Sequence, residues 1–293
     1  KKLAQAAEKG AFPSYPVYEF IGREQEIYTL ARIFDHRNAT LIQSSDGLGK
    51  TSFVCKAAEW LTQSGYFTDG ACYLDFERPV TIEQIAQVIC CYIEGQSSRI
   101  LSVQKQIEKA RKYFLKKKMM IVCDNFDFIF STRSEGVKEL YEEKERKRIL
   151  NFISYWSVLP QCKGRIILVS RVMKTSLKNI HTFELKGLKR SDSFAHLLQV
   201  MSKQDISFTN QYFQKSVFNN MLEVLQDNPL LIELVVRNLK TMNPGKIVDE
   251  INGISDKLDN SGQSDTDKSI TAILHFYANY LSSNVREALK WLG

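Results

Sequence analysis

Apolar positions in the first two-thirds of the chain alternate between two textures. Short, nearly solid apolar runs occur at "ATLIQ" (Ala39–Gln43), "GACYLDFE" (70–77), "MMIVCD" (119–124), "GRIILVSR" (164–171) and "HTFELKGL" (181–188). Runs of this length bounded by turn residues predict strands, and "MMIVCD" predicts a strand buried on both faces. Between them the apolar residues recur at helical spacing. Phe53, Ala57 and Trp60 mark a helix over 50–63, and further helices are predicted at 81–93, 100–114 and 148–159. Strands alternating with helices predict an α/β fold with a parallel sheet flanked by helices.

The texture changes after Leu188. From Ser191 onward only helical periodicity is found, at 194–201, 212–226 and 229–239, which predicts a separate all-helical domain. The polar stretch "NGISDKLDNSGQSDTDKS" (252–269) reads as a linker, and "SITAILHFYANYL" as the start of a further helical unit. The predicted boundaries are therefore 1–188, 189–255 and 256–293. The charged stretch "STRSEGVKELYEEKERKR" (131–148) reads as a surface excursion, and there is no internal repeat.

Charge adds little. Forty basic and 33 acidic residues leave a net +7, an excess that permits polyanion binding without requiring it. The six cysteines include no CxxC pair, which argues against a zinc site or disulfide framework and for reduced, buried thiols in a cytoplasmic protein. No apolar run approaches the roughly 18 residues of a membrane span. The start has no apolar core of a signal peptide, and both ends read as cuts from a longer chain.

Chemistry enters at "IQSSDGLGKTSF" (42–53). The phosphate-binding loop pattern is Gly, four residues, Gly, Lys, then Ser or Thr, set between a strand and a helix. Gly49, Lys50 and Thr51 fit its end, while Ser44 stands in place of its opening glycine. Both flanking elements are predicted, so backbone N–H groups of Ser45, Asp46, Gly47, Leu48, Gly49 and Ser52 would face phosphates. Lys50 would reach the β- and γ-phosphates, and Thr51 would offer its hydroxyl to Mg²⁺. A left-handed conformation at Ser44 would cost about 1 kcal/mol, and Asp46 places a negative charge near the phosphates. Binding is expected, weakened by these two departures.

A second element of the site, a carboxylate, is predicted at "MMIVCDNFD". Asp124 ends the strand about seventy residues after the loop, where a carboxylate would hold Mg²⁺ directly or through water. Asp127 would polarise the attacking water; as an alternative it is a helix cap or a solvated carboxylate. Arg171 ends the next strand and would read a γ-phosphate; its alternative is an ordinary surface arginine.

With these motifs in order, the chain resembles a STAND NTPase, the class of signal-transduction ATPases that includes the NB-ARC proteins of plant immunity and animal apoptosis. "FIGREQEIYTLARIF" resembles the segment before the family's P-loop, and "SSDGLGKTS" stands where a run of glycines is common. "MMIVCDNFD" resembles the Walker B motif, "GRIILVSR" the sensor strand, "FELKGLKRSDSFAHLL" the hinge into the helical domain, and "DNPLLIELVVRNL" the "GLPLAL" segment. The resemblance implies a P-loop NTPase domain, a helical domain and the start of a winged-helix-like unit. It implies ATP or ADP with Mg²⁺, and places Ile21, Gly22, Arg23 and Pro229 at the adenine. Pro229 alternatively does no more than start a helix. Departures from the pattern are Asn125 in place of a second acid and "VSR" where "TTR" is common. The family's winged-helix histidine would lie beyond Gly293; His275 is too early for it and reads as a structural helix residue.

The leading reading is a nucleotide-operated switch: slow ATP hydrolysis coupled to domain opening and self-association, with protein partners engaged through flanking domains, in defence or cell-death-like signalling. The alternative is an AAA+-like nucleic-acid-binding ATPase. It draws on the basic stretches "KQIEKARKYFLKKK" and "KERKRIL", which are more often solvated helix faces, so nucleic acid is permitted but not favoured as a partner. A third reading is a nucleotide-free scaffold with a degenerate P-loop.

Overall fold

Five parallel strands form one sheet in the order β2-β3-β4-β1-β5: β1 (Ala39–Gln43), β2 (Ala71–Asp75), β3 (Met120–Asp124), β4 (Arg165–Ser170) and β5 (His181–Glu184). The computed structural model describes residues 11–13, 18–95, 102–130, 141–171, 177, 179–207, 215–258 and 265–280. Much of the predicted surface excursion, residues 131–140, lies outside them. The chain divides into two bodies: Lys1–Val17, Arg23–Asp46 and Lys50–Leu185 in the first, and Tyr18–Gly22, Gly47–Gly49 and Lys186–Gly293 in the second.

In the first body the helices are α1 (Glu24–Phe34), α2 (Lys50–Gln63), α3 (Ile82–Glu94), α4 (Val103–Lys116) and α5 (Glu143–Val158). Every residue of β3 is buried, as its solid apolar run predicts, whereas β5 at the sheet edge is largely exposed. The start of α3 is set by a capping box: Thr81 accepts the Gln84 N–H, and the Gln84 side chain accepts the Thr81 N–H. Its buried face (Ile82, Ile85, Ala86, Ile89) joins Phe114 of α4 and Phe152 and Trp156 of α5 in one core against the sheet. Each buried isoleucine or phenylalanine among them contributes about 1.5–3 kcal/mol by leaving water.

What matters for chemistry is where the strands stop. Gln43 pairs with Ser170, and Asp75 with Asp124, so the carboxyl ends of β1, β2, β3 and β4 finish along one edge. In open parallel sheets that edge is where ligands bind.

The second body is helical: α6 (Arg190–Lys203), α7 (Lys215–Val224), α8 (Pro229–Val236) continued by a 3-10 turn (Arg237–Lys240), α9 (Pro244–Leu258) and α10 (Asp265–Asn279). The stretch read as a linker is helical at both ends, since α9 runs to Leu258 and α10 begins at Asp265. Ile247, Val248 and Ile251 of α9 and Ala272, Ile273 and Phe276 of α10 share one core with α6, α7 and α8. His275 lies exposed on α10.

Candidate functional site

The loop between β1 and α2 makes its turn through Gly47 and Gly49, whose φ angles of +80° and +81° suit glycine. Ser44 is not among the residues with positive φ, so the strain anticipated for a serine there does not arise. Ser44 is instead buried, donates its hydroxyl to the Ser45 carbonyl at 3.0 Å, and turns its own carbonyl toward Lys50. The Lys50 ammonium donates to the Ser44 and Ser45 carbonyls, both at 3.0 Å, and lies 3.8 Å from Asp46. Burial pulls its pKa below the ordinary 10.5, against the opposing pull of Asp46, Asp127 and Asp124.

Asp124, at the end of β3, is 1% exposed. A carboxylate so buried needs donors. Oδ2 accepts from the Thr51 hydroxyl at 2.7 Å and from the Tyr73 phenol at 2.7 Å, and Oδ1 accepts the Asn125 N–H at 2.9 Å. Thr51 and Asp124, 73 positions apart, are thereby brought into direct contact. Asn125 adopts a left-handed φ of 55°, a conformation asparagine tolerates better than most residues, and its amide donates to Asp75. This turn carries the chain into the short 3-10 helix Phe126–Phe130, from which Asp127 faces β4. Asp127 accepts both the backbone N–H (3.3 Å) and the Nε (2.9 Å) of Arg171. Arg171 Nη1 also lies 3.8 Å from Asp46.

A cavity of about 250 Å³ is lined by Asp46, Lys50, Glu77, Asp124, Asn125, Asp127, Phe128, Val169, Ser170 and Arg171. The four residues picked for chemistry, Lys50, Asp124, Asp127 and Arg171, thus meet at one place, with Thr51 tied in through Asp124. Ser170 was not picked. Its hydroxyl is buried without a partner among the described residues and its residue lines the cavity, which fits an oxygen-rich ligand there. The signal was present in "VSR": a hydroxyl ending an otherwise apolar strand beside the arginine.

Asp46 of the loop also lines this cavity, whereas Ile21, Gly22, Arg23 and Pro229 do not. Ile21 and Gly22 belong to the second body and Arg23 to the first. Gly22 and Arg23 turn with φ of 71° and 70°, and buried Arg23 donates to Glu26 at 3.2 Å ahead of α1. Pro229 is the first residue of α8, capped by Asn228, whose Oδ1 accepts the N–H groups of Leu230 and Leu231. The Leu230 N–H also donates to the Gly47 carbonyl at 3.3 Å, both residues being in the second body.

Among the described residues no group of three or more His, Cys, Asp or Glu is arranged to hold a metal alone. The donors present, one threonine hydroxyl beside one carboxylate, fit a magnesium that takes its other oxygens from a nucleotide and water. None of the six cysteines is joined in a disulfide; the Cys55 thiol is pushed up to about 12, by burial first and then by the charge of Asp124. No described helix is long and apolar enough to cross a membrane.

No family model matches the chain, and no curated protein matches it. Solved structures do. A Walker-type ATPase of Pyrococcus abyssi superposes with a TM-score of 0.50 at 13% identity, over 82% of this chain and 75% of that one. A STAND protein with a tetratricopeptide repeat sensor from Pyrococcus horikoshii gives 0.48 at 15% identity, over 85% of this chain and 36% of that one. Drosophila ORC bound to DNA gives 0.47 at 12% identity, over 99% and 82%. At such identities a likeness speaks for the fold alone, and the first of these supports it: the chain has the P-loop NTPase fold.

Proposed function

We propose that this chain is an ATP- and ADP-binding switch of the STAND signalling type that hydrolyses ATP slowly. The observation carrying this reading is the convergence of Lys50, Asp124, Asp127 and Arg171 on one cavity at the carboxyl edge of the sheet. Lys50 neutralises the β- and γ-phosphates, which the loop N–H groups of residues 45–52 cradle. Thr51 and Asp124 hold Mg²⁺, whose chemistry is to neutralise phosphate charge as the bond to the leaving diphosphate breaks. Asp127 orients the attacking water, and Arg171 draws off charge from the γ-phosphoryl oxygens.

Asp127 and Arg171 hold each other through two hydrogen bonds. On this reading a γ-phosphate competes for Arg171 and so frees Asp127 for the water, tying the chemistry to the presence of ATP rather than ADP. Ile21, Gly22, Arg23 and Pro229 contact the adenine, and nucleotide exchange drives domain opening and self-association in a cytoplasmic, defence-like role, with partners recruited by flanking domains. Domain boundaries at 188 and 255, with a winged-helix-like unit beginning in 256–293, belong to the same proposal.

One observation favours a second reading, an AAA+-like nucleic-acid-binding ATPase: Lys105, Arg111, Lys112 and Lys116 are all exposed on α4. Hydrolysis stimulated by DNA would select it. The direct test of the leading reading is to denature the purified chain and chromatograph what it releases. ADP or ATP, stoichiometric with protein, is expected. A chain that carries no nucleotide and binds none when supplied would leave the scaffold reading.

A further inference from the structure

Tyr73 is assigned no role by the reading above, yet its phenol is one of three donors to the buried Asp124 carboxylate. It stands on β2, paired in register with Val122 of β3, and reaches Asp124 Oδ2 at 2.7 Å while only 9% exposed. The same oxygen accepts the Thr51 hydroxyl at 2.7 Å. The ring is backed by Phe12, with centroids 5.5 Å apart and planes inclined at 48°.

We propose that Tyr73 is a positioning residue for the magnesium–nucleotide: its phenol fixes the Asp124 carboxylate with Oδ2 against Thr51, so that both oxygen groups offered to the cation are set before it arrives. The proposal rests on the nucleotide-binding reading. With its proton drawn toward Asp124, the Thr51 hydroxyl keeps its lone pairs for the metal. Without the phenol, Oδ2 loses one of its two donors and the carboxylate is freer to rotate. Partners that orient a ligand in this way typically carry about a tenfold to hundredfold effect on metal affinity when removed. Phe12, packed on the ring, helps to hold the phenol in this position.

The test uses the full chain stripped of nucleotide, with a fluorescent ADP analogue titrated in EDTA and then at stepped Mg²⁺. For Tyr73→Phe the account expects unchanged affinity in EDTA, a melting temperature several degrees lower because the buried Asp124 carboxylate loses one of its three donors, and an Mg²⁺ half-saturation raised about tenfold. Phe12→Ala, which leaves the phenol in place, should raise it by a smaller factor. A merely structural tyrosine would lower the melting temperature and leave the Mg²⁺ half-saturation unmoved, and that result overturns the proposal. Should Tyr73→Phe fail to fold, an unmoved half-saturation in Phe12→Ala overturns it equally. A parent chain that binds the analogue with no response to Mg²⁺ would remove the positioning role but keep nucleotide binding. A parent that binds no analogue at all would overturn both.

Discussion

Replacing Arg171 by alanine separates the roles given to the site. The guanidinium is 54% exposed and its partner Asp127 is 20% exposed, with Nε 2.9 Å from Oδ2. Half in solvent, the pair is screened, so its contribution to stability is about 1 kcal/mol or less rather than the several typical of a buried pair. Asp127 also keeps the backbone N–H of residue 171, so the variant should melt within a few degrees of the parent. Catalysis should respond far more. A donor aimed at charge that develops in the transition state is worth about 10²–10³ in turnover. ADP carries no γ-phosphate, so its affinity should stay within about twofold, whereas ATP should lose its advantage over ADP. Calorimetry with ADP and a non-hydrolysable ATP analogue, together with single-turnover hydrolysis of ATP, measures all three quantities. If Arg171→Ala hydrolyses at the parent rate, or weakens both nucleotides equally, the γ-phosphate role is wrong and Arg171 is a surface partner of Asp127.

Other outcomes follow from the same geometry. Asp127→Asn should cut turnover by about 10²-fold or more with little change in ATP affinity, because the water loses its orienting carboxylate; parent-like hydrolysis would reduce Asp127 to a partner of Arg171. Asp46 lies 3.8 Å from both Lys50 and Arg171, so Asp46→Asn should tighten ATP severalfold and more than ADP, measured by competition; weaker binding would contradict its assignment as a rival of the phosphates. Lys50 has its pKa held below 10.5 by burial, so ADP affinity should fall as pH rises through that lowered value. In the same window the nucleotide-free chain should gain stability, since its unfolded state still binds the proton that the folded state has lost. Affinity flat to pH 10.5 would refute this. Pro229→Ala should weaken adenine nucleotides severalfold while leaving inorganic polyphosphate binding alone; equal loss for both would make Pro229 a helix start and nothing more.

The elements most legible in the sequence were those whose pattern is local. β1 and α2 fall at the residues read for them because an apolar run, a glycine turn and an amphipathic face succeed one another without gaps. α9 was missed because Ile247, Val248 and Ile251 are followed by a Ser- and Asp-rich tail whose composition imitates a linker, although packing in the core carries that tail into the helix. The sheet order was not legible, since it depends on crossovers rather than on any run of residues. At the site, motif types picked residues that the fold brings together, but did not give their partners. Asp127 meets Arg171 from 44 positions away, through the turn after β3, and Tyr73 meets Asp124 from 51, through the pairing of β2 with β3. The strain anticipated at Ser44 was misjudged from the motif, because residue type does not reveal that its φ is not positive.

Central to the account is one nucleotide held by the Lys50 loop. ADP with Mg²⁺ should be titrated by calorimetry into the nucleotide-stripped chain and into Lys50→Ala. Loss of one charge-assisted contact of about 1.5–3 kcal/mol corresponds to roughly a tenfold to hundredfold weakening. The account predicts one site per chain and a weakening of that size in Lys50→Ala. Equal affinity in the two proteins, or no heat from a folded parent chain, would contradict it.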